Sequence, residues 1–375
     1  MKRIAGEVSG AFGDLGMFLP HVLGAITVAG LAPLGVLFGF GLFLVASGLF
    51  YAIPMAVQPM KAVSAIMLTG QLDPASIAAT GLVLGLVFLV LGVTGWIDRL
   101  ARLIPQSVTA GLQLGLGLSL ALLGLDLVME TPWLGLLVLA LLLGLLALKL
   151  LAAMPLVLLG AVGLGLLAGT AELPGAVTLG GSLPAVTLPG WGDLLLALEL
   201  TVLPQLALTL TNAVIVAAAL ARQLYPRAAG RATERNLSLS TGLANLLLAP
   251  LGALPMCHGA GGLQAQHRFG ARSGLAPIVF GSLLLLCALF LSQDAAAILG
   301  AIPLAAVGAL LVIAGGDLAF SRRLLDARPN CWPAMGTAAA LTLLVNPAVG
   351  LLAGCAVEGV RASVKRHLHA RRKGH

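Results

Sequence analysis

Long apolar runs, repeated from one end of the chain to the other, are the feature that most constrains its fold. Of the 375 residues, 59% are hydrophobic and 9% are charged, and the mean hydropathy is +1.05. A soluble domain does not carry so apolar a composition, whereas a helix of about 20 apolar residues spans a bilayer. The 48 glycines lie within these runs, where small residues let helices in lipid approach closely. The sequence therefore predicts an all-α polytopic membrane protein.

Cutting the runs at proline, glycine and charged residues divides the chain into fourteen candidate spans, seven in each half. The candidate spans lie near 10–30, 33–53, 57–70, 75–96, 105–124, 132–150, 154–169, 203–221, 237–254, 258–270, 275–292, 296–315, 331–345 and 347–361. The predicted divisions are a first seven-span repeat over 1–170, a linker with an interfacial segment over 171–202, a second seven-span repeat over 203–361 and a basic cytoplasmic tail over 362–375.

The distribution of basic residues supports this count. With the N-terminus inside, twenty of the 21 lysines and arginines, including Arg102, Lys149, Arg322 and Arg323, fall in cytoplasmic loops or the tail, and Lys61 is the exception. The predicted location is therefore the cell inner (plasma) membrane, with both termini cytoplasmic. The net charge of +7 follows from this bias, so the expected partner is the lipid bilayer and not nucleic acid.

Two short, interrupted segments match each other in the two halves. The third span reads IPMAVQPMKAVSAI and the tenth reads LPMCHGAGGLQAQ. In each, a proline and a methionine precede a few extended-looking residues, and then a helix-starting signal follows, at Pro59 or at Gly259. Such a pair is typical of transporters built from inverted repeats. The sequence predicts short strands and half-helices in spans 3 and 10, whose helix N-termini point at each other near the midplane.

Two converging helix N-termini favour an anion site, because they present unpaired N–H groups and partial positive charge. Lys61 lies in the first turn of its half-helix, where an anion would offset its charge. The alternative is a lysine that reaches the interface or pairs with Asp14 or Glu7. The candidate substrate-binding residues of the two segments are Gln58, Pro59, Met60, Lys61, Ala62, His258, Gly259, Ala260, Gly261 and Gly262.

Polar residues in the eighth and first spans complete the candidate site. Gln205, Thr209 and Asn212 follow i, i+4, i+7 spacing and share one helical face, which suits either anion binding or hydrogen bonding between helices. Buried ionisable residues in a membrane often carry protons, and the candidates for proton coupling are Asp14, Glu7, His21 and also His258. His258 fits equally well a role in binding the carbonyl groups of a broken helix.

The motifs GDLGMFLPHVL, PMAVQPMKAVSA, PQLALTLTNAV and PMCHGAGGLQAQHRFGARSG resemble the molybdate transporter family, a branch of the sulfate permease (SulP) superfamily. The resemblance implies two inverted seven-span repeats, divided into a core domain (spans 1 to 4 and 8 to 11) and a gate domain (spans 5 to 7 and 12 to 14). It also implies a substrate site between spans 3 and 10, and a homodimer. Many sulfate permeases carry a STAS domain after the last span. The sequence shows none, which favours the molybdate branch.

Together these features predict a secondary active transporter for a tetrahedral oxyanion, molybdate first and sulfate or tungstate next, by proton-coupled uptake with alternating access. Cation coupling is expected because moving a dianion into a negative interior costs about 2.3 kcal/mol per charge per 100 mV. The alternatives are a nucleobase or carboxylate permease of the same fold and an uncoupled anion channel. An enzyme is disfavoured, because no HExxH or GxSxG motif is present. No metal site or cofactor is predicted, because the four cysteines form no CxxC pair.

Overall fold

The computed structural model describes most of the chain, with short gaps. The described residues are 2–97, 99, 105–148, 154–173, 184–291, 294, 297–298, 301–320, 324, 326 and 328–373. Arg102, Lys149, Arg322 and Arg323, on which part of the charge argument rests, lie outside the described residues, as does the middle of the predicted linker, 174–183.

Helices account for nearly all of the regular structure. In chain order they are α1 (Lys2–Ala11), α2 (Leu15–Thr27), α3 (Pro33–Tyr51), α4 (Lys61–Leu68), α5 (Pro74–Thr94), α6 (Gln106–Val128), α7 (Pro132–Ala147), α8 (Met154–Leu167), α9 (Trp191–Leu224), α10 (Glu234–Leu248), α11 (Ala260–Arg268), α12 (Leu275–Phe290), α13 (Leu304–Ala319), α14 (Trp332–Leu344) and α15 (Pro347–Lys373). The described residues also contain two short strands, β1 (Val57–Pro59) and β2 (Met256–His258), and the short 3-10 helices Ala229–Arg231, Ala249–Leu251 and Pro329–Cys331.

Several helices have the length and composition of membrane spans. Among the described residues, five are long and apolar enough to cross a bilayer: α3, α5, α6, α9 and the first part of α15, Pro347–Val364. Large apolar side chains such as Leu49, Val93 and Leu141 are exposed on the outer surface of the molecule, where lipid tails would cover them. The helical membrane architecture predicted from hydropathy is therefore present.

Two helix starts differ from those predicted. The helix expected from residue 203 begins twelve residues earlier, so α9 takes in the segment that was predicted to lie at the interface. A capping interaction explains this start, because the Gly190 N–H donates to Asp193 Oδ2 at 2.8 Å. The span predicted over 296–315 overlaps α13, which begins only at Leu304 and ends at Ala319. The rigid backbone of Pro303 occupies its N-cap position.

The two interrupted segments contain the predicted short strands, and these strands meet in a small antiparallel sheet. Strand β1 pairs with β2 in the register Val57 with His258, Gln58 with Cys257 and Pro59 with Met256. Half-helix α4 begins at Lys61, directly after β1 and Met60, and half-helix α11 begins at Ala260, directly after β2 and Gly259. The pairing satisfies backbone groups that a bilayer interior would leave without partners. Because each half-helix starts directly after one of the paired strands, the pairing also holds the N-termini of α4 and α11 beside the same sheet.

The longer helices pack in two sets around this sheet. Helix α3 packs against α12, and α5 packs against α10. In the second set α6 packs against α13 and α14, and α14 packs against α15. Glycine permits one of these close approaches, because a Cβ at Gly124 would lie 2.7 Å from the Val312 backbone nitrogen. Helix α6 also contacts α4, which brings the second set to the sheet.

Candidate functional site

A cavity of about 200 Å³ lies where the two half-helices begin. Its lining residues are Gln58, Pro59, Lys61, Gln113, Gln205, Leu208, Thr209, Asn212, Ala213, Cys257, His258, Gly259, Ala260, Gly261 and Leu318. Ten of the thirteen predicted substrate-binding residues are in this set, and Met60, Ala62 and Gly262 are not. The fold thus brings together residues from β1, α4, α9, β2 and α11 that are far apart in the sequence.

Lys61 is the cation of this wall. It is the first residue of α4, its side chain is half-buried, and its Nζ lies 3.9 Å from Met17 Sδ. Within the described part of the chain, the ion pairs join Arg222 to Glu234 and Arg361 to Glu358, and none involves Lys61. Lys61 therefore makes no direct ion pair with Asp14 or Glu7, although the buried Asp14 carboxylate lies within electrostatic range of it.

The N-terminus of α4 is already capped by protein groups. The Met60 N–H donates to Pro255 O at 2.9 Å. The N–H groups of Ala62 and Val63 donate to Gln205 Oε1 at 2.8 and 3.4 Å, so this side chain occupies the end of the helix. This differs from the expectation that the Met60 and Ala62 N–H groups face the anion directly. The reason is that α9 passes close enough for its glutamine to act as a cap.

Gln205 also connects to the other polar residues of α9. Its Nε2 donates to Thr209 Oγ1 at 2.8 Å, which fixes the orientation of the side-chain amide. Asn212 lies one turn further along and lines the same cavity. Helix α9 has π-helical hydrogen bonding over Thr209–Val216, and such stretches often accompany functional sites. The predicted polar face therefore faces the cavity.

The N-terminus of α11 presents bare backbone. The Gly259 N–H donates to Ala56 O at 3.2 Å, but the N–H groups of Ala260, Gly261 and Gly262 have no acceptor among the described residues. Glycine at position 259 leaves room for Gln58, because a Cβ there would overlap the side-chain amide of Gln58. This helix end can bind an anion through backbone donors alone.

Asp14 does not line the cavity itself, but it contacts Gln58, which does. It is buried, and its Oδ1 accepts a hydrogen bond from Gln58 Nε2 at 2.7 Å. Its Oδ2 occupies the space that a Cβ at Gly262 would need. Gln58 therefore contacts the cavity on one side and a buried carboxylate on the other.

Glu7 and His21, two further candidates for proton coupling, lie elsewhere. The Glu7 carboxylate accepts hydrogen bonds from the N–H groups of Arg272 and Ser273 at 3.1 and 3.4 Å, before the start of α12. His21 is buried in α2, and its Nδ1 has no partner among the described residues. Neither residue lines the cavity. The structure thus brings Asp14 to the site and leaves Glu7 and His21 outside it.

His258 lines the cavity but is held by protein groups. Its Nε2 lies 2.8 Å from Ser240 Oγ, and its Nδ1 lies 3.4 Å from Ala56 O. The Tyr51 hydroxyl contacts the same Ser240 oxygen at 2.7 Å, and the Phe43 and Tyr51 rings flank the imidazole. Both ring nitrogens therefore face protein, which agrees with the carbonyl-binding alternative for this histidine.

Two polar residues that line the cavity were not predicted from the sequence. Gln113 lies in α6, and Cys257 precedes His258 in β2. The signal for Gln113 was its polar side chain in the otherwise apolar run GLQLGLGL. Cys257 carried no signal, because buried thiols are common in apolar segments.

The chemistry of the wall suits an anion. Among the described lining residues, one side chain is cationic, none is a carboxylate, and the amides and hydroxyl of Gln58, Gln113, Thr209 and Asn212 are neutral hydrogen-bonding groups. The described residues contain no group of three or more His, Cys, Asp or Glu that could hold a metal ion. The arrangement resembles a binding site more than a site for metal chemistry.

Comparisons with known proteins agree with this chemistry. The profile of the family described as "Molybdate transporter of MFS superfamily" matches residues 6–120 and 198–318. "Molybdate transporter 2" of Arabidopsis thaliana is 31% identical over 405 residues, covering 94% of this chain and 86% of that protein. "Molybdate transporter 1" of Chlamydomonas reinhardtii is 29% identical over 467 residues, covering 93% of this chain and 89% of that protein.

Solved structures show a related fold. The transmembrane domain of the cyanobacterium bicarbonate transporter BicA superposes with a TM-score of 0.71 at 16% identity, covering 94% of this chain and 98% of that one. The murine anion transporter Slc26a9 in its inward-facing state gives a TM-score of 0.72 at 13% identity, covering 96% of this chain and 69% of that one. At such identities the likeness concerns the fold alone.

The sequence matches carry the family assignment. The profile matches more than half of the chain, and the first Arabidopsis relative aligns along nearly all of it. These matches confirm the resemblance found in the motifs, and they confirm that the protein is not an enzyme. The chain belongs to the molybdate transporter family and is a membrane transporter, with a fold like that of the BicA transmembrane domain and Slc26a9.

Proposed function

We propose that this protein is a secondary active transporter that binds molybdate in the cavity between the two half-helices. The observation that carries the proposal is the composition of the cavity lining: it contains the cationic side chain of Lys61 and no described carboxylate. A lysine that makes no direct ion pair among the described residues is expensive in a membrane interior unless a ligand supplies negative charge. The names of the sequence relatives indicate which anion to test first.

Three kinds of donor would hold the anion. Lys61 supplies a full charge, and the backbone of Ala260 to Gly262 supplies unpaired N–H groups. Asn212 supplies a side-chain amide that lines the cavity. Neutral donors bind an oxyanion without bringing a second charge into the membrane interior. Sulfate and tungstate share the tetrahedral geometry and the charge of molybdate, and they are the next candidates.

Alternating access would proceed by motion between two domains. The core domain would contain spans 1 to 4 and 8 to 11, and the gate domain would contain spans 5 to 7 and 12 to 14, within inverted repeats over 1–170 and 203–361. The packing of α6 with α13 and α14, apart from the pairs α3 with α12 and α5 with α10, supports this division. The cavity lies where α6 and α13 meet the half-helices, as a site between moving domains requires.

Proton coupling would use Asp14. The Gln58 amide contacts both the cavity and this buried carboxylate, so binding of an anion and protonation of Asp14 would affect each other through one side chain. Substitution of Asp14 by Asn is expected to leave molybdate binding within about threefold of wild type and to remove the dependence of uptake on the proton gradient. Uptake into proteoliposomes at fixed and at imposed pH gradients measures this. An unchanged response to the gradient would exclude Asp14.

The membrane orientation follows from the charge argument. We place both termini in the cytoplasm and the protein in the inner (plasma) membrane, because basic residues concentrate in the loops on that side. A homodimer is part of the same proposal. Labelling of single cysteines introduced near either terminus tests the orientation, and light scattering in detergent tests the dimer.

The decisive experiment for the substrate is equilibrium binding of molybdate to the purified protein, with sulfate and uracil as competitors. We expect molybdate to bind, sulfate to compete more weakly, uracil not to compete, and Lys61→Ala to lose the binding. Competition by uracil but not by any oxyanion would replace the proposal with a nucleobase permease. Anion conductance without proton coupling would replace it with a channel.

A further inference from the structure

Gln113 enters the cavity from a different set of helices than the rest of the polar wall. Gln58, Lys61, Gln205 and His258 all belong to the strands, the half-helices or α9, but Gln113 belongs to α6. Leu318 of α13, which packs against α6, is its apolar neighbour in the lining. In the proposed division of the molecule, Gln113 is therefore the polar group that the gate domain contributes.

The side chain of Gln113 is buried without a protein partner. Only 6% of its surface is exposed, and its Oε1 has no hydrogen-bond partner. Its Nε2 likewise donates no hydrogen bond to any described residue. A buried amide is unfavourable unless it is hydrogen-bonded. The Nε2 is a donor and can bind an acceptor in the cavity, whereas the Oε1 is an acceptor that an oxyanion cannot satisfy. Gln205, a buried amide of α9 that lines the same cavity, has three hydrogen bonds to protein.

We propose that Gln113 is a substrate ligand and sets the selectivity among tetrahedral oxyanions. This inference rests on the proposed function and adds a specific residue to it. The Gln113 Nε2 would donate to an oxygen of an anion held by Lys61 and the N-terminus of α11. Because its contact comes from the second set of helices, it forms only when the anion reaches across the cavity. Molybdate is larger than sulfate, so the inference requires molybdate to contact this amide more closely than sulfate does.

A ligand placed in this way also has a consequence for transport. An anion can shift a conformational equilibrium only through contacts that differ between the conformations. Lys61 and the α11 backbone move together with the half-helices, whereas the distance from Gln113 to the anion changes when the two domains separate. Gln113 therefore links occupancy by the larger anion to approach of the gate.

The experiment compares Gln113→Leu with a matched control, Gln266→Leu. Gln266 lies in α11, is 1% exposed and also has an Oε1 without a partner, but it does not line the cavity. Dissociation constants for molybdate and for sulfate are measured on both purified variants and on wild type. We expect Gln113→Leu to weaken molybdate binding about tenfold, as loss of a hydrogen bond to a charged group predicts, and to change sulfate binding less than twofold. Gln266→Leu is expected to leave the ratio of the two constants unchanged.

The outcomes separate this inference from the proposed function. If wild type binds molybdate, Lys61→Ala abolishes binding, and Gln113→Leu keeps the wild-type ratio, the inference alone fails. Equal weakening of both anions by Gln113→Leu also overturns it. If wild type binds no oxyanion, or if Lys61→Ala binds normally, the proposed function fails and the inference fails with it. Should Gln113→Leu not fold, Gln113→Asn decides: the shortened amide must lower the preference for molybdate, and an unchanged preference contradicts the inference.

Discussion

The two half-helices begin beside the same two-stranded sheet, yet their N-termini present different chemistry. At α4, the N–H groups of Ala62 and Val63 bind Gln205, and a lysine side chain supplies the charge. At α11, the backbone from Ala260 to Gly262 has no described acceptor and the side chains are a methyl group and hydrogens. One helix end offers a cation and the other offers bare backbone.

This difference shows what the pairing of the two strands fixes and what it leaves free. Pairing of β1 with β2 dictates that both helices start at one place, because it fixes the register of the residues just before them. It does not dictate which groups fill the helix ends. Two lysines would repel each other across a small cavity, whereas one lysine and one open N-terminus both attract a single anion. The different groups at the two helix N-termini are thus suited to binding one anion between them.

The largest expected effect comes from removing the charge of the α4 end. Lys61→Gln is expected to raise the dissociation constant for molybdate about 100-fold, because the charged donor is lost from a partly desolvated site. Lys61→Arg, which keeps the charge but changes the geometry, is expected to stay within about tenfold of wild type. Isothermal titration of both variants measures the difference. Equal loss in the two variants would mean that shape and not charge distinguishes this helix end.

The next effect concerns the glycines of the α11 end. Gly262→Ala is expected to cost about 1–3 kcal/mol of stability, because its Cβ would displace the Asp14 carboxylate and Ala56. Gly261→Ala is the matched control, since its Cβ meets only the flexible end of Met17, at 2.9 Å from Cε. Thermal unfolding and proton-driven uptake are measured for both. If Gly261→Ala lowers stability or uptake more than Gly262→Ala does, access of the anion to the backbone of α11 is more important than the space that Gly262 leaves for Asp14.

A smaller effect is expected from the cap on α4. Gln205→Leu leaves the Ala62 and Val63 N–H groups without their acceptor and is expected to cost about 1–2 kcal/mol of stability. It is also expected to weaken molybdate binding about threefold, because the Lys61 turn loses its support. Chemical denaturation and binding are the measurements. Tighter binding in this variant would mean that the freed N–H groups bind the anion, as at α11.

The smallest effect is expected at a cap outside the cavity. Asp73 caps α5, and its Oδ1 accepts from the Ser76 N–H at 2.8 Å. Hydrogen bonds from the Ser76 side chain and backbone lower the pKa of Asp73 below its ordinary value of 3.8. The stabilisation is therefore complete above about pH 4 and is lost as the pH falls through the lowered pKa. Asp73→Ala is expected to cost about 1 kcal/mol, with binding unchanged. A change in the affinity for molybdate would show that the cap on α5 influences the cavity as well as its own helix.

Much of the site was predictable because its signals are local. The matching Pro-Met segments, the isolated Lys61 and the i, i+4, i+7 set on α9 all lie within short stretches of sequence. Ten of the thirteen predicted binding residues line one cavity for this reason. The start of α9 was missed because its cap at Gly190 and Asp193 follows a linker that reads as irregular.

The roles of individual groups were less predictable, because they depend on neighbours that are distant in the sequence. Glu7 and Asp14 have the same chemistry and lie seven positions apart, but one binds the backbone at Arg272 and Ser273 and the other binds Gln58. Likewise, sequence spacing cannot tell that Gln205 caps α4 while Gln113 is left without a partner. Each of these outcomes depends on which helix passes close by.

The sequence alone determined that the chain is a helical membrane protein, that two interrupted segments form half-helices after short strands, and that its motifs belong to the molybdate transporter family. Hydropathy, proline, glycine and charge act over a few residues and need no tertiary context. Only the tertiary structure decided which helix N-terminus is capped, which carboxylate lies behind the cavity and which glutamine of α6 enters it. Those choices depend on contacts between residues more than forty positions apart, which chain spacing does not encode.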